Sequence, residues 1–161
     1  MPVDISSSVE TSSDLERHLA RAAEALLGAL DHSASDLEVA LVSDDEIAVL
    51  NRDYRGKDRP TDVLSFPQLE GEAVIDANDE VHLGDIVVSL ETAKRQADEG
   101  GWTLEEETAR LVLHGLLHLL GFDHENSGEE EASMKAEEFR LVSVLRSAGI
   151  ACAHEQTDSA T

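Results

Sequence analysis

His114 and His118 stand four residues apart in the stretch HGLLHLLGFDH, and His124 closes it. Imidazole nitrogen is a ligand for zinc and for several other transition metals. On a helix, residues four apart share a face, so both rings can reach one ion. Gly121 permits the left-handed turn that ends a helix. Phe122 and Asp123 then carry the chain round, and His124 can point back to the same place. Three neutral nitrogens leave a fourth position open, which is the catalytic rather than the structural kind of zinc site. The spacing therefore predicts one Zn2+ per chain, held by His114, His118 and His124.

The metzincin proteases share this spacing, H-E-x-x-H-x-x-G-x-x-H, with one difference. Gly115 occupies the position of the glutamate that serves those enzymes as base. Ordinary peptide hydrolysis would lack its proton acceptor here. A glycine inside a helix costs about 1 kcal/mol against alanine. Its return must be space, either for a substrate or for close helix packing. The two histidines are the only polar side chains between Leu111 and Phe122. Burying an imidazole without a partner is costly. Core histidines bonded to backbone carbonyls would also meet that cost, but they would not account for a third histidine after a glycine turn.

These residues need a scaffold. Asp14 to Leu30 has helical periodicity, with Ser13 or Asp14 as cap. Leu37 to Ser43 reads as a strand, and Asp44 to about Tyr54 as a capped helix. Thr61 to Phe66 is a short strand closed by Pro67, and residues 68–80 form an acidic, irregular loop. Val81 to Leu90 is a strand containing Gly84, a residue that in strands marks a bulge or a close approach. A helix follows and ends at Gly100 and Gly101. The histidine-bearing helix is capped by Thr103, and a last helix runs from Gly128 to about Ala148. The expected fold is α+β, a small mixed sheet flanked by helices, with the metal site on the helix carrying His114 and His118. One domain spans residues 1–149, and residues 150–161 are expected to be a disordered polar tail.

Composition narrows the partners. The net charge is −23, from 35 acidic and 12 basic residues. That argues against indiscriminate binding to nucleic acid or anionic membrane, though local charge can oppose the global sign. Four of the 12 Lys and Arg residues lie in RDYRGKDR, Arg52 to Arg59. The longest apolar run is too short to span a bilayer. No basic and apolar leader opens the chain. The single cysteine, Cys152, forbids an internal disulfide and agrees with a reducing compartment. The expected location is the cytoplasm.

Three stretches, YRGKDRPTDVLSFP, LGDIVVSLETAKRQA and HGLLHLLGFDH, occur in that order. Together they resemble the bacterial YbeY family of metal-dependent endoribonucleases of ribosomal RNA maturation, from about Leu37 to Gly149. The resemblance implies that His114, His118 and His124 bind zinc and that Arg59 matches a functionally important arginine. Phe122 stands where the family more usually has tyrosine. The implied role is cleavage of single-stranded RNA in 3′-end processing of the small-subunit ribosomal RNA and in ribosome quality control. Small-subunit ribosomal proteins or assembly factors are the implied protein partners.

Phosphodiester cleavage requires the charge on the phosphoryl oxygens to be offset, and Arg59 can do so in a fork. Arg55 and Lys57 can contact RNA phosphates beside it. Asp123 and Asp85 are auxiliary candidates. Asp123 adjoins a ligand and either orients a histidine, accepts a proton or caps a turn. Asp85 follows Gly84 and is a candidate to support a metal ligand. Asp62 reads as a turn residue and Met134 as core. His18, His32, His82 and His154 carry no spacing argument. Two rival readings are a metallohydrolase of amide or peptide bonds and a non-enzymatic, zinc-stabilised ribosome-assembly factor.

Overall fold

The computed structural model describes residues 3–32, 35–67, 82–121 and 128–153. Among the described residues, four strands and five helices follow one another as β1 (Val3–Ser7), α1 (Ser13–Ala29), β2 (Asp36–Val42), α2 (Asp44–Arg55), β3 (Val63–Pro67), β4 (His82–Ser89), α3 (Leu90–Gly100), α4 (Leu104–Leu119) and α5 (Gly128–Ser147). The strands form one mixed sheet in the order β1-β2-β4-β3. β1, β2 and β4 are parallel, and β3 runs antiparallel to β4 as an edge. The α+β architecture with a small mixed sheet is the one expected.

Alternation along the strands divides the core. Val39 and Leu41 of β2 and Ile86 and Val88 of β4 join the large cluster with α1, α4 and α5. The neighbouring Val42, Leu64 and Val87 turn to the other face and meet Ile47 of α2, with Phe66 packed alongside. Register agrees, since Ser65 pairs with Ile86 and Phe66 with Asp85. One face of the sheet thus carries α4, and the other carries α2.

Local chemistry starts and stops the helices. Ser43 with Glu46 and Thr103 with Glu106 form capping boxes at α2 and α4. Glu105, Glu106 and Glu107 lie in the first turn of α4, where carboxylates suit the helix dipole. Gly56 (φ 72°) ends α2 in the left-handed conformation, which frees the chain to turn into the 57–62 loop.

Two expectations need correction. No element is expected before the helix starting at Asp14, yet Val3–Ser7 form a strand, β1, that pairs in parallel with β2 from Val3↔Leu37 to Ser7↔Leu41. The chain from Ile150 to Ala153 is not a frayed tail, because Ile150, Cys152 and Ala153 are buried. The Ala153 amide donates to the Glu106 carbonyl at 2.9 Å, and Arg146 donates to the Cys152 carbonyl at 3.3 Å. These contacts fasten the segment to α4 and α5. Burial pushes the Cys152 thiol up to about 12, so it stays protonated at neutral pH. Among the described residues, no helix is long and apolar enough to cross a membrane. The acidic 68–80 loop and the chain from His154 onward lie outside the described residues.

Candidate metal centre and RNA-facing edge

α4 delivers His114 and His118 as the spacing requires. Their ring centroids are 5.1 Å apart with the planes inclined at 58°. Two imidazole nitrogens, each about 2.0–2.1 Å from one tetrahedral ion, would set their rings about 5 Å apart. Both residues are partly exposed at the end of an otherwise buried helix. Donor type, spacing and access therefore fit a transition-metal ion. Phe122, Asp123 and His124 lie outside the described residues, and among the described residues no group of three potential ligands converges.

Gly115 has a structural explanation. A Cβ there would lie 2.9 Å from Cγ2 of Ile86 and 3.2 Å from Oγ of Ser65. Contacts below 3.0 Å are essentially never made by real Cβ atoms. The Ser65 hydroxyl donates to the Gly115 carbonyl at 2.9 Å. Of the two uses for the missing side chain, close packing is the one observed. The metzincin glutamate has no room here, because this face of α4 lies on the sheet at β3 and β4.

Glu138 joins the site without any spacing that points to it. Its Oε1 lies 3.4 Å from Nδ1 of His114, with both side chains about four-fifths buried (19% and 22% exposed). A carboxylate on one ring nitrogen fixes the tautomer and orientation of the other, which is how histidine ligands are commonly held. Glu138 belongs to an acidic helix in which no spacing distinguishes it from its neighbours.

Arg59 lies in the loop between α2 and β3, with Arg55 and Lys57, and all three are exposed. Among the described residues the Arg59 guanidinium has no hydrogen-bond or ion-pair partner. Its backbone is fixed, however. The Asn51 side chain is 2% exposed and donates from Nδ2 to the Arg59 carbonyl at 2.9 Å. The Lys57 amide donates to the Asn51 carbonyl at 3.3 Å. Asn51 is a second residue the sequence reading missed. A mid-helix asparagine carries no motif, and only its burial shows the role.

Asp85 is not brought to the histidines. It pairs with Phe66 on the face of the sheet opposite α4, and its Oδ1 lies 3.7 Å from Nε2 of His82. Alternation along β4 puts Ile86, not Asp85, beneath Gly115. Asp62 serves its turn, accepting from the Val63 amide at 2.8 Å and from Nε2 of Gln96 at 3.3 Å. Met134 is a core residue. His18 lies 2.9 Å from the Ala151 carbonyl and His32 lies 3.1 Å from the Ser35 hydroxyl, each within hydrogen-bonding distance.

A helix that sets two imidazoles side by side beside an edge strand is an arrangement of the kind that metal-assisted hydrolases use. Comparison with known proteins makes the class specific. The family profile described as endoribonuclease YbeY matches residues 4–146. The endoribonuclease YbeY of Geobacter sulfurreducens is 45% identical over 135 residues, which is 83% of this chain and 89% of that one. That of Aquifex aeolicus is 48% identical over 128 residues, 78% of this chain and 81% of its own. The solution structure of TM1509 from Thermotoga maritima superposes with a TM-score of 0.57 at 35% identity, covering 91% of this chain and 93% of that one. The chain belongs to the endoribonuclease YbeY family. Membership favours an endoribonuclease, a hydrolase, over both the peptide-hydrolase and the assembly-factor readings.

Proposed function

We propose that the chain is a zinc-dependent enzyme that cuts single-stranded RNA, and that its cellular task is 3′-end processing of the small-subunit ribosomal RNA and ribosome quality control. The observation that supports this most is the His114–His118 pair, at the 5.1 Å spacing that two ligands of one ion require, in a member of this family. His114, His118 and His124 would hold one Zn2+. When bound, zinc supplies Lewis acidity to a phosphoryl oxygen and to the attacking oxygen.

The chain's own residues do the rest. The Glu138 carboxylate, 3.4 Å from Nδ1 of His114, would hold the proton on that nitrogen and leave the other ring nitrogen as the donor to metal. Arg59 pairs with phosphoryl oxygens and offsets the charge that develops on them. Asn51 keeps the Arg59 backbone where the guanidinium can reach. Arg55 and Lys57 hold flanking phosphates, so binding weakens with salt. Asp123 orients its neighbour His124 or accepts a proton. Asp85 has no part in the reaction in this reading.

The −23 charge repels free RNA over most of the surface. Docking on basic small-subunit ribosomal proteins, or on assembly factors carried by the ribosome, would bring the enzyme to its substrate in the cytoplasm. End-labelled single-stranded RNA tests the activity. Cleavage should stop on chelation and return with zinc. A 2′,3′-cyclic phosphate end identifies the RNA 2′-OH as nucleophile, and its absence from the first products identifies water. Cleavage that persists unchanged after complete metal removal would refute zinc dependence.

A further inference from the structure

We infer that Tyr54, seated against Phe66, is a stacking platform for an RNA base, placed beside the cationic loop and across the edge strand from the histidine helix. The inference rests on the reading of this chain as an enzyme of single-stranded RNA.

Tyr54 is half-exposed (50%) in the last turn of α2. Its ring centroid lies 4.5 Å from that of Phe66, with the planes inclined at 57°. Phe66 therefore supports the tyrosine ring from one side while half of the residue faces solvent. Aromatic rings held in this way are what non-specific single-strand binders offer to bases, because every base has a π-face.

The charge around it is complementary to RNA. Arg52, Arg55, Lys57 and Arg59 all lie within five positions of Tyr54 and are exposed, in a chain with only 12 basic residues. Basic residues at a helix C-terminus can simply complement the helix dipole. That accounts for Arg52 and Arg55, which lie in the last turn of α2. Asp53 pairs with Arg52 at 3.1 Å, and Asp58 adds a second carboxylate to the stretch, so the local balance is two positive charges. The helix dipole does not account for Lys57 and Arg59, which lie beyond the helix, nor for a half-exposed tyrosine ring beside them.

Placement completes the case. Phe66 and Ser65 are adjacent on β3, an edge strand of the sheet among the described residues. Ser65 faces α4 and bonds to Gly115, next to His114. Phe66 faces the opposite way, toward α2 and Tyr54. A strand of RNA passing around this edge would meet the aromatic pair on one side and the histidine helix on the other.

Fluorescence anisotropy of a labelled, 2′-O-methyl single-stranded oligoribonucleotide with the full chain tests this. Tyr54→Leu should weaken binding about five- to a hundredfold, the range for losing one stacked base. Tyr54→Phe, which keeps the ring, should bind within about twofold of the parent. A leucine variant that folds and binds as tightly as the parent overturns the inference. Because Tyr54→Leu also removes packing from Phe66, ultraviolet crosslinking of the unsubstituted protein to a 4-thiouridine oligonucleotide provides a second readout. The peptide containing Tyr54 should be labelled, and crosslinks confined to other peptides overturn the platform. If the unsubstituted protein binds no single-stranded RNA at all, the RNA reading itself fails, and the platform with it.

Discussion

The hydroxyl of Ser65 donates a 2.9 Å hydrogen bond to the carbonyl of Gly115, and so joins the edge strand to the histidine helix at the residue directly after His114. With no side chain at Gly115, α4 can lie directly on Ile86 and Ser65. The register of α4 on the sheet, and with it the placement of both histidines, depends on this contact.

Substitution at that contact should destabilise the protein against the local trend. Alanine is the better helix former by about 1 kcal/mol. Yet its Cβ would stand 2.9 Å from a methyl of the fully buried Ile86. Overpacking of a tight core typically costs about 1–3 kcal/mol. Gly115→Ala should therefore lower stability by a net amount of about 1 kcal/mol, read from urea unfolding. Gly115→Glu should lose more and gain no peptidase activity. A more stable alanine variant would show that the contact is not tight.

Removing the carboxylate behind His114 should weaken metal binding before it affects the fold. Outer contacts of this kind are worth about 10- to 100-fold in metal affinity. Glu138→Gln should lower zinc affinity by that order in competition with a chelator. Its thermal unfolding without metal should stay near that of the parent. Unchanged affinity would reduce Glu138 to a structural neighbour.

Arg59→Ala should reduce RNA cleavage by about a hundredfold, the order seen when one donor to a developing anion is lost. Zinc content should not change. Arg59→Lys should restore little, because a lysine lacks the planar fork. Asn51→Ala should lower cleavage through the position of the same loop, with a smaller effect than Arg59→Ala. Full activity in Arg59→Ala would remove the arginine from the chemistry.

Asp44 ties α2 to α3 in a pH-dependent way. Its Oδ1 accepts from the hydroxyls of Ser89 and Thr92, both at 2.6 Å, and Oδ2 pairs with Arg95 at 3.0 Å. Partial burial alone would raise its pKa, but these hydrogen bonds and the Arg95 charge outweigh it and hold the carboxyl below its ordinary 3.8. A pKa lowered by folding contributes stability that is fully present above the unfolded value and is lost as the pH falls through the folded one. Asp44→Ala should cost about 1–3 kcal/mol at neutral pH. The difference from the parent should shrink below about pH 4. A constant difference down to pH 2 would contradict the account.

The legible parts of this molecule were those whose signals are local. The cap at Thr103, the capped start of α2 at Asp44 and the 3.6-residue periodicity of α1 located these helices to within a residue or two. His114 and His118 were legible for the same reason, since one helical turn brings them together. β1 was not, because only Val3 and Ile5 are apolar and its strand character comes from pairing with β2 after a whole helix has intervened. The packing of Ile150 to Ala153 depends on the Glu106 carbonyl and the Arg146 side chain, and four apolar residues ahead of a polar ending carry no periodicity that would show it. Glu138 and Asn51 were hidden likewise, one by its acidic surroundings and one by the absence of any motif. Asp85 was misplaced by attending to its neighbour Gly84 and not to the alternation that turns it away from α4.

The central claim is that a metal held by the histidines of α4 enables this chain to cut RNA. The most direct measurement compares the zinc-loaded protein with a folded His118→Ala variant prepared in parallel, on end-labelled single-stranded RNA. The account predicts fragments from the first and none from the second. Equal cutting by both would contradict it, since cleavage would then not depend on the histidine that defines the site.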